Sequence, residues 1–413
     1  MATARTLLAS SRTAQAESAY AWVRLAVSVL LGTIGSIGMW AVVVALPAVQ
    51  AEFGVDRASA SMPYTLAMIG FGCGAVSFGR LVDKLGMIVP SMIATLLLGI
   101  GFIGSSFAQS IFVFTVANFV IGFGSSATFA PILADISHWF TRRRGIAVSV
   151  CAAGNYLGGA IWPPIVQAVI AAVGWRQNQF LMGLVCLVTM LPLLLLLRRQ
   201  LVHDATSDAA SAVRKAQAGT LGLSPNATFL LLCLAGIGCC VAMSMPQVHI
   251  VAYCADLGYG VANGANMLSL MLGFGIFSRV ASGFVADRIG GLATLLIGST
   301  LQGLALFLYL LADGLMPLYV ISSLFGLFQG GIVPMYAVVA RDYFPPEQAG
   351  TRVSIVLTST IVGMALGGWI SGVIFDLTGS YWQAFVNGLI WNLVNLSIVS
   401  FLFLRGRAKS QPA

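Results

Sequence analysis

The sequence predicts an all-α membrane protein: twelve transmembrane helices in two pseudo-symmetric six-helix bundles. Three observations predict it. Of the 413 residues, 58% are hydrophobic and only 8% are charged. A soluble domain carries roughly 25% charged residues, so this composition cannot cover a soluble surface. Apolar runs of about 20 residues, the length that crosses the hydrocarbon core as a helix, recur from one end of the chain to the other. One loop pattern also occurs twice, half a chain apart.

The elements follow in order. The stretch "MATARTLLASSRTAQAESAYAW", residues 1–22, lacks the apolar segment of a signal peptide and reads as a cytoplasmic tail. Twelve apolar runs then centre on 29–49, 61–78, 88–107, 111–135, 146–173, 180–197, 228–252, 265–285, 292–311, 318–340, 354–375 and 385–404. Between the sixth and seventh lies "RRQLVHDATSDAASAVRKAQAGTLGLSPN", residues 198–226, a polar and basic linker that includes His203. The predicted organisation is therefore a 1–22 tail, a 23–197 bundle, a 198–226 linker, a 227–404 bundle and a 405–413 tail.

The net charge of +8 is placed asymmetrically. With both termini cytoplasmic, 18 of the 21 Lys and Arg fall in cytoplasmic segments, and only Arg57 and Arg176 lie on the other side. This is the positive-inside pattern, so the charge addresses a lipid bilayer and not a nucleic acid. The seven cysteines lie in or beside apolar runs with no Cys-x-x-Cys pair, which reads as packing. No nucleotide loop, metal motif or catalytic triad is present, so no enzyme, metal or cofactor is expected.

"GRLVDKLG" begins at Gly79 and "GFVADRIG" at Gly283, 204 residues apart. Gly122 and Phe140 repeat at the same spacing as Gly326 and Phe344. A period of half the chain is an internal duplication. Both loop copies fall on the basic side, so each half holds an even number of spans, and six plus six fits.

These motifs carry a family resemblance. Two parallel six-span repeats with Gly-x-x-x-Asp-(Arg/Lys)-x-Gly after the second span resemble the major facilitator superfamily, whose halves are related by an axis along the membrane normal. The first copy departs from that signature at Met87 and Ile88, where basic residues usually follow. "WFTRRRGIAVSVCAAGNYLGGAIWPP" from Trp139, "HIVAYCADLGYG" from His249 and "YFPPEQAGTR" from Tyr343 resemble bacterial members of its monocarboxylate-transporter-like and oxalate–formate-antiporter-like branch. The resemblance implies a secondary carrier of a small organic anion in the bacterial inner membrane, working by alternating access and acting as a monomer. It implies a gating role for the two loops: Gly79, Asp83 and Lys84, then Gly283, Asp287 and Arg288, with Arg142, Arg143 and Arg352 near them.

Arg279 sits in the eighth apolar run, eight residues before Asp287. That is about 12 Å of helix, roughly twice the reach of an arginine stem, so snorkelling is strained. Gly275, Arg279 and Gly283 share one helix face, with Leu270, Phe274, Phe277 and Phe284 roughly opposite. Arg279 is expected to face the protein, and the acidic residues cluster in loops and at helix ends, Asp135 being the deepest candidate. A guanidinium matches a carboxylate through two hydrogen bonds. In the resembled branch an arginine at this position, four residues before the loop glycine, binds the substrate carboxylate. The competing reading is an internal arginine held by backbone carbonyls. This chain lacks the branch's aspartate one turn earlier, where Gly275 stands, and its lysines in the first and eleventh spans. One cation suggests a monocarboxylate.

His249 is the histidine expected to line a cavity, and it titrates near neutral pH. It is a candidate for substrate contact and for carrying a coupling proton, with Asp135 as the second proton candidate. The alternative is a neutral side chain bonded to the eighth or first span. Asn155, Gln329, Tyr336, Trp40 and Tyr64 are further substrate-lining candidates, each weighed against a role in helix packing. Gly154/Gly158 and Gly363/Gly367 are expected to pack helices, and Pro163–Pro164 to kink the fifth span. Two other functions remain open: a drug or metabolite exporter on the same fold, and a membrane sensor without flux. Neither the substrate nor its direction is written in the sequence, and symport and exchange are both open.

Overall fold

A computed structural model describes residues 18–140, 143–198, 222–344 and 346–410. Among them, eleven helices are long and apolar enough to cross a membrane. The longest, Ile146–Leu196, has 51 residues, about 77 Å of helix, more than twice the hydrocarbon thickness. It is interrupted at Gly174, whose φ of 85° and ψ of 163° leave the helical region. A residue without a Cβ reaches that geometry at little cost. The chain thus forms the twelve spans read from its hydropathy.

The spans are α1 (Ala19–Gly35 continued by Ile37–Phe53), α2 (Arg57–Leu85), α3 (Ile88–Ser106) and α4 (Ile111–Ser125, then Ala130–Trp139). Helix Arg144–Leu196 supplies α5 before Gly174 and α6 after it. There follow α7 (Pro225–Asp256), α8 (Val261–Ile289), α9 (Gly291–Leu311), α10 (Leu315–Gln329, then Ile332–Tyr343), α11 (Pro346–Thr378) and α12 (Tyr381–Ser410). Ala19–Trp22 belong to the first helix, with Ser18 as its cap, although 1–22 reads as tail. A kink is expected at Pro163–Pro164. Both prolines lie inside a continuous helix, and the break is at Gly174. His203 lies outside the described residues.

The duplication is visible in the backbone. α4 breaks into a 3-10 turn at Ser126–Thr128, and α10 breaks at Gly330–Gly331. Positions 126 and 330 are again 204 apart.

The chain forms two compact units, Met1–Val42 with Ile69–Asp204, and Val43–Met68 with Ala205–Ala413. In the first, α1 packs on α5. A Cβ on Gly154 would meet Val29 O at 2.8 Å, and one on Gly158 would strike Ser36 Oγ and Thr33 O. In the second, α7 packs on α11, with Gly363 against Ile237 and Gly367 against Val241 and Ser244. Both small-residue pairs seat helices as the sequence suggests. α7 is buried on every face from Gly238 to Ala252, as expected of a helix apolar all round. The second unit also holds the end of α1 and the start of α2. There Thr65 Oγ1 donates to Ala365 O at 3.1 Å, and a Cβ on Gly372 would meet Arg57 O at 2.9 Å.

Candidate functional site

In the second unit α8 crosses α10 at close range. A Cβ on Gly330 would collide with the Gly275 backbone, and Gly331 N–H donates to Ser278 Oγ at 3.1 Å. This crossing positions Arg279, which is half-buried, and its Nε donates to Gly330 O at 3.3 Å. Phe277 and Phe284 lie on the other side of α8, each 67% exposed. The inward direction of Arg279 and the outward direction of the phenylalanines therefore agree with the helical spacing. Among the described residues nothing stands within 4 Å of where a Cβ on Gly283 would be. Gln329, beside Gly330, is fully buried, and among the described residues neither its Oε1 nor its Nε2 has a hydrogen-bond partner.

His249 is fully buried in α7. Its Nε2 lies 2.7 Å from Gly368 O and its Nδ1 3.1 Å from Tyr381 Oη. A carbonyl only accepts, so Nε2 carries the proton and Nδ1 is free to accept from the tyrosine. These partners belong to α11 and α12, not to the eighth or first span. Tyr64 meets the same point, its ring packing at Gly368 while its hydroxyl is buried without a partner among the described residues.

Tyr336 goes elsewhere. Its hydroxyl donates to Asn395 Oδ1 at 2.6 Å, and Asn395 Nδ2 donates to Ser299 Oγ at 2.9 Å. Asn392 Nδ2 donates to Ser299 O at 3.2 Å, and Gln302 Nε2 donates to Cys239 O at 3.1 Å. This closed network joins α7, α9, α10 and α12. In the first unit, Asn155 Nδ2 approaches Met39 Sδ at 3.7 Å, while Trp40 is buried with no partner for Nε1 among the described residues.

Asp135 accepts two hydrogen bonds from Arg24, from Nε at 2.7 Å and Nη2 at 2.8 Å. Arg24 is 1% exposed, its Nη1 donates to Leu197 O at 2.8 Å, and its guanidinium lies 4.8 Å from the Trp139 ring. The pair ties α1 to α4 and α6. Of the loop residues, Gly79 has nothing within 4 Å of a Cβ position among the described residues, and Lys84, Arg143, Asp287 and Arg288 are exposed. Arg352 reaches the start of α7, donating to Pro225 O at 3.0 Å and Asn226 Oδ1 at 3.1 Å. Arg142 lies outside the described residues, as does the side chain of Asp83.

One constellation was not singled out from the sequence. At the end of the second unit remote from Arg288 and Arg341, Arg57 Nη2 donates to both oxygens of Asp256, at 3.1 and 2.9 Å. The guanidinium lies 4.8 Å from the Phe375 ring centre and 5.7 Å from that of Tyr381. Asp376 accepts from Arg57 N at 2.8 Å and Ala58 N at 2.7 Å, capping α2 from α11. Asp56, outside the spans, accepts from Ser59 N at 2.7 Å, and the Ser59 hydroxyl and N–H together hold its carboxyl below the usual carboxylate range. The first N–H groups of α2 are thereby satisfied by two carboxylates, where the helix dipole favours negative charge.

The sequence model of the Major Facilitator Superfamily matches residues 29–325 and 280–413. Monocarboxylate transporter 13 of Rattus norvegicus is 28% identical over 309 residues, which are 74% of this chain and 71% of that one. The Agnestins efflux protein AgnL12 of Paecilomyces divaricatus is 24% identical over 338 residues, 80% of this chain and 74% of its own. The crystal structure of a bacterial homolog to the human lysosomal transporter Spinster, in an inward-facing and unoccupied conformation, aligns with a TM-score of 0.73 at 15% identity. It covers 96% of this chain and 99% of that one.

Proposed function

This chain belongs to the major facilitator superfamily and is a multi-pass membrane transporter, not an enzyme, and from that premise we propose that it carries a small organic anion, a monocarboxylate, by alternating access. The observation that carries the reading is Arg279. A permanent cation stands half-buried at the α8–α10 crossing, on the side of α8 opposite the exposed phenylalanines. A carboxylate pairs with its planar fork through two hydrogen bonds, in a low dielectric that strengthens both. Similarity to monocarboxylate transporters over about three quarters of the chain supports the same substrate class. The fully buried, unpartnered amide of Gln329 supplies a further polar group one residue from the Arg279 acceptor.

Arg279→Lys keeps the charge and loses the fork, so carboxylate uptake into proteoliposomes should fall at least about tenfold while the protein still folds. Full transport by Arg279→Ala would remove the arginine from the site. An efflux carrier for a larger metabolite is the second reading, favoured by the similarity to the agnestins efflux protein. A thermal-shift panel of carboxylates separates them, since only small acids should stabilise the wild type and not Arg279→Ala.

His249 is the proposed coupling group. Protonation turns Nδ1 from acceptor to donor, and Tyr381 Oη accepts in turn, so neither partner is lost. Symport predicts pH-gradient-driven accumulation into empty vesicles, abolished in His249→Ala. Exchange predicts release only with acid outside, indifferent to the gradient. Asp135 is the weaker candidate, because both of its oxygens already accept from Arg24. The basic loops and both termini lie on the cytoplasmic side of a bacterial inner membrane in this reading, the loops at Asp83 and Asp287 gate that side, and the carrier acts as a monomer. The Arg57 end is then the outer one.

A further inference from the structure

We propose that the Arg57 pocket is a binding site for organic cations, guanidinium compounds above all, occupied in this conformation by the chain's own arginine and presented to the outside when the outer mouth opens. The inference rests on alternating access for the opening and on nothing about the carried substrate.

The walls of the pocket are selective for a flat cation. Asp256 offers both oxygens to one nitrogen edge, and Phe375 and Tyr381 present rings 4.8 and 5.7 Å from the guanidinium carbon. A carboxylate together with aromatic faces is the chemistry that recognises guanidinium and alkylammonium groups. The Tyr381 hydroxyl bonds back to His249, which fixes the ring. Arg57 fills this pocket incompletely. It is 6% exposed, yet its Nε is buried with no hydrogen-bond partner among the described residues.

The pocket also has a vacant extension. A cavity of about 330 Å³ adjoins it, lined by Tyr253, Asp256, Phe375, Tyr381, Trp382 and Phe385 among others. That volume lies at the lower end of small-molecule sites. Asp256 and both ring partners of Arg57 belong to both spaces. A cation seated on Asp256 therefore has room for an alkyl or aromatic tail that Arg57 itself does not use.

Closure of the mouth buries Asp256 against whichever cation is present. Without one, a carboxylate that keeps only about a third of its exposure, 36%, is left facing aromatic rings with no cation to pair with. A soluble cation should therefore replace the missing side chain in Arg57→Ala. The experiment uses the full chain with its native cysteines replaced and Ala60→Cys added, since Ala60 is 2% exposed. Labelling by a membrane-impermeant maleimide reports opening, and the melting temperature of the purified protein reports binding. Arg57→Ala should raise labelling about fivefold or more, and millimolar methylguanidinium should reverse most of that rise and raise the melting temperature. Equal urea or potassium chloride should do neither, and Arg57→Ala with Asp256→Asn should not respond. If Arg57→Ala does not fold, Arg57→Gln keeps the bulk and serves the same comparison. No cation-specific change in labelling or melting, or an equal change in the Asp256→Asn background, overturns the proposal. Both readouts are independent of carboxylate transport, so loss of that reading leaves the result standing.

Discussion

Two arginines in this protein grip an aspartate with both carboxylate oxygens, and they do different work. Arg24 is 1% exposed, and Nε, Nη1 and Nη2 all have acceptors, in Asp135, Leu197 O and the Tyr20 hydroxyl. Arg57 binds Asp256 through one nitrogen, leaves Nε without a partner, and faces a carboxylate that is 36% exposed. A fully satisfied buried pair is expensive to disturb, because every partner is stranded at once. A pair with a wet carboxylate and a spare donor can be exchanged for water at modest cost. The first is a permanent staple among the helices of one unit, and the second is a fastening built to be undone.

The largest effect that tests this contrast comes from the staple. Arg24→Ala leaves Asp135 uncompensated and should cost about 3–5 kcal/mol, read as a large loss of melting temperature or of folded protein. A stable Arg24→Ala would erase the distinction. The fastening should behave otherwise. A double-mutant cycle of Arg57→Ala and Asp256→Ala should give a coupling of only about 1–2 kcal/mol, discounted for the solvent at Asp256, and appear as opening before unfolding. The smallest effect concerns Asp56. Its lowered pKa adds stability that is complete above the unfolded carboxylate range and is lost as pH falls through the folded value. Ser59→Ala should flatten that acid-side slope without shifting the Asp256 coupling, as measured by melting temperature against pH.

The twelve spans were legible because apolar length is a local property. So was the direction of Arg279, since a 100° step per residue orders α8 whatever it packs against. The fastening was not legible. Arg57 and Asp256 are 199 residues apart, and each alone looks like an ordinary charge at a helix end. Tyr336 is a substrate-lining candidate by sequence, yet its hydroxyl is taken by Asn395. A signal for that network was present. Ser299 and Gln302, like Asn392 and Asn395, repeat at three residues inside apolar runs, which puts two polar groups on one helix face. In α5 the helix runs on through Pro163 and Pro164, and the glycine at 174 makes the break.

Gly174 has a practical consequence. A single residue connects two membrane-length helices, it has φ 85°, and nothing stands within 4 Å of where its Cβ would be. Two residues on, Arg176 Nη1 is anchored on Ser106 O at 3.1 Å and Ala108 O at 2.6 Å. The junction offers no slack, so an epitope tag or fluorescent protein inserted there must pry apart a corner already tied to the end of α3. Reporter fusions should tolerate the α5–α6 junction least, even though Gly174 itself lies on the surface.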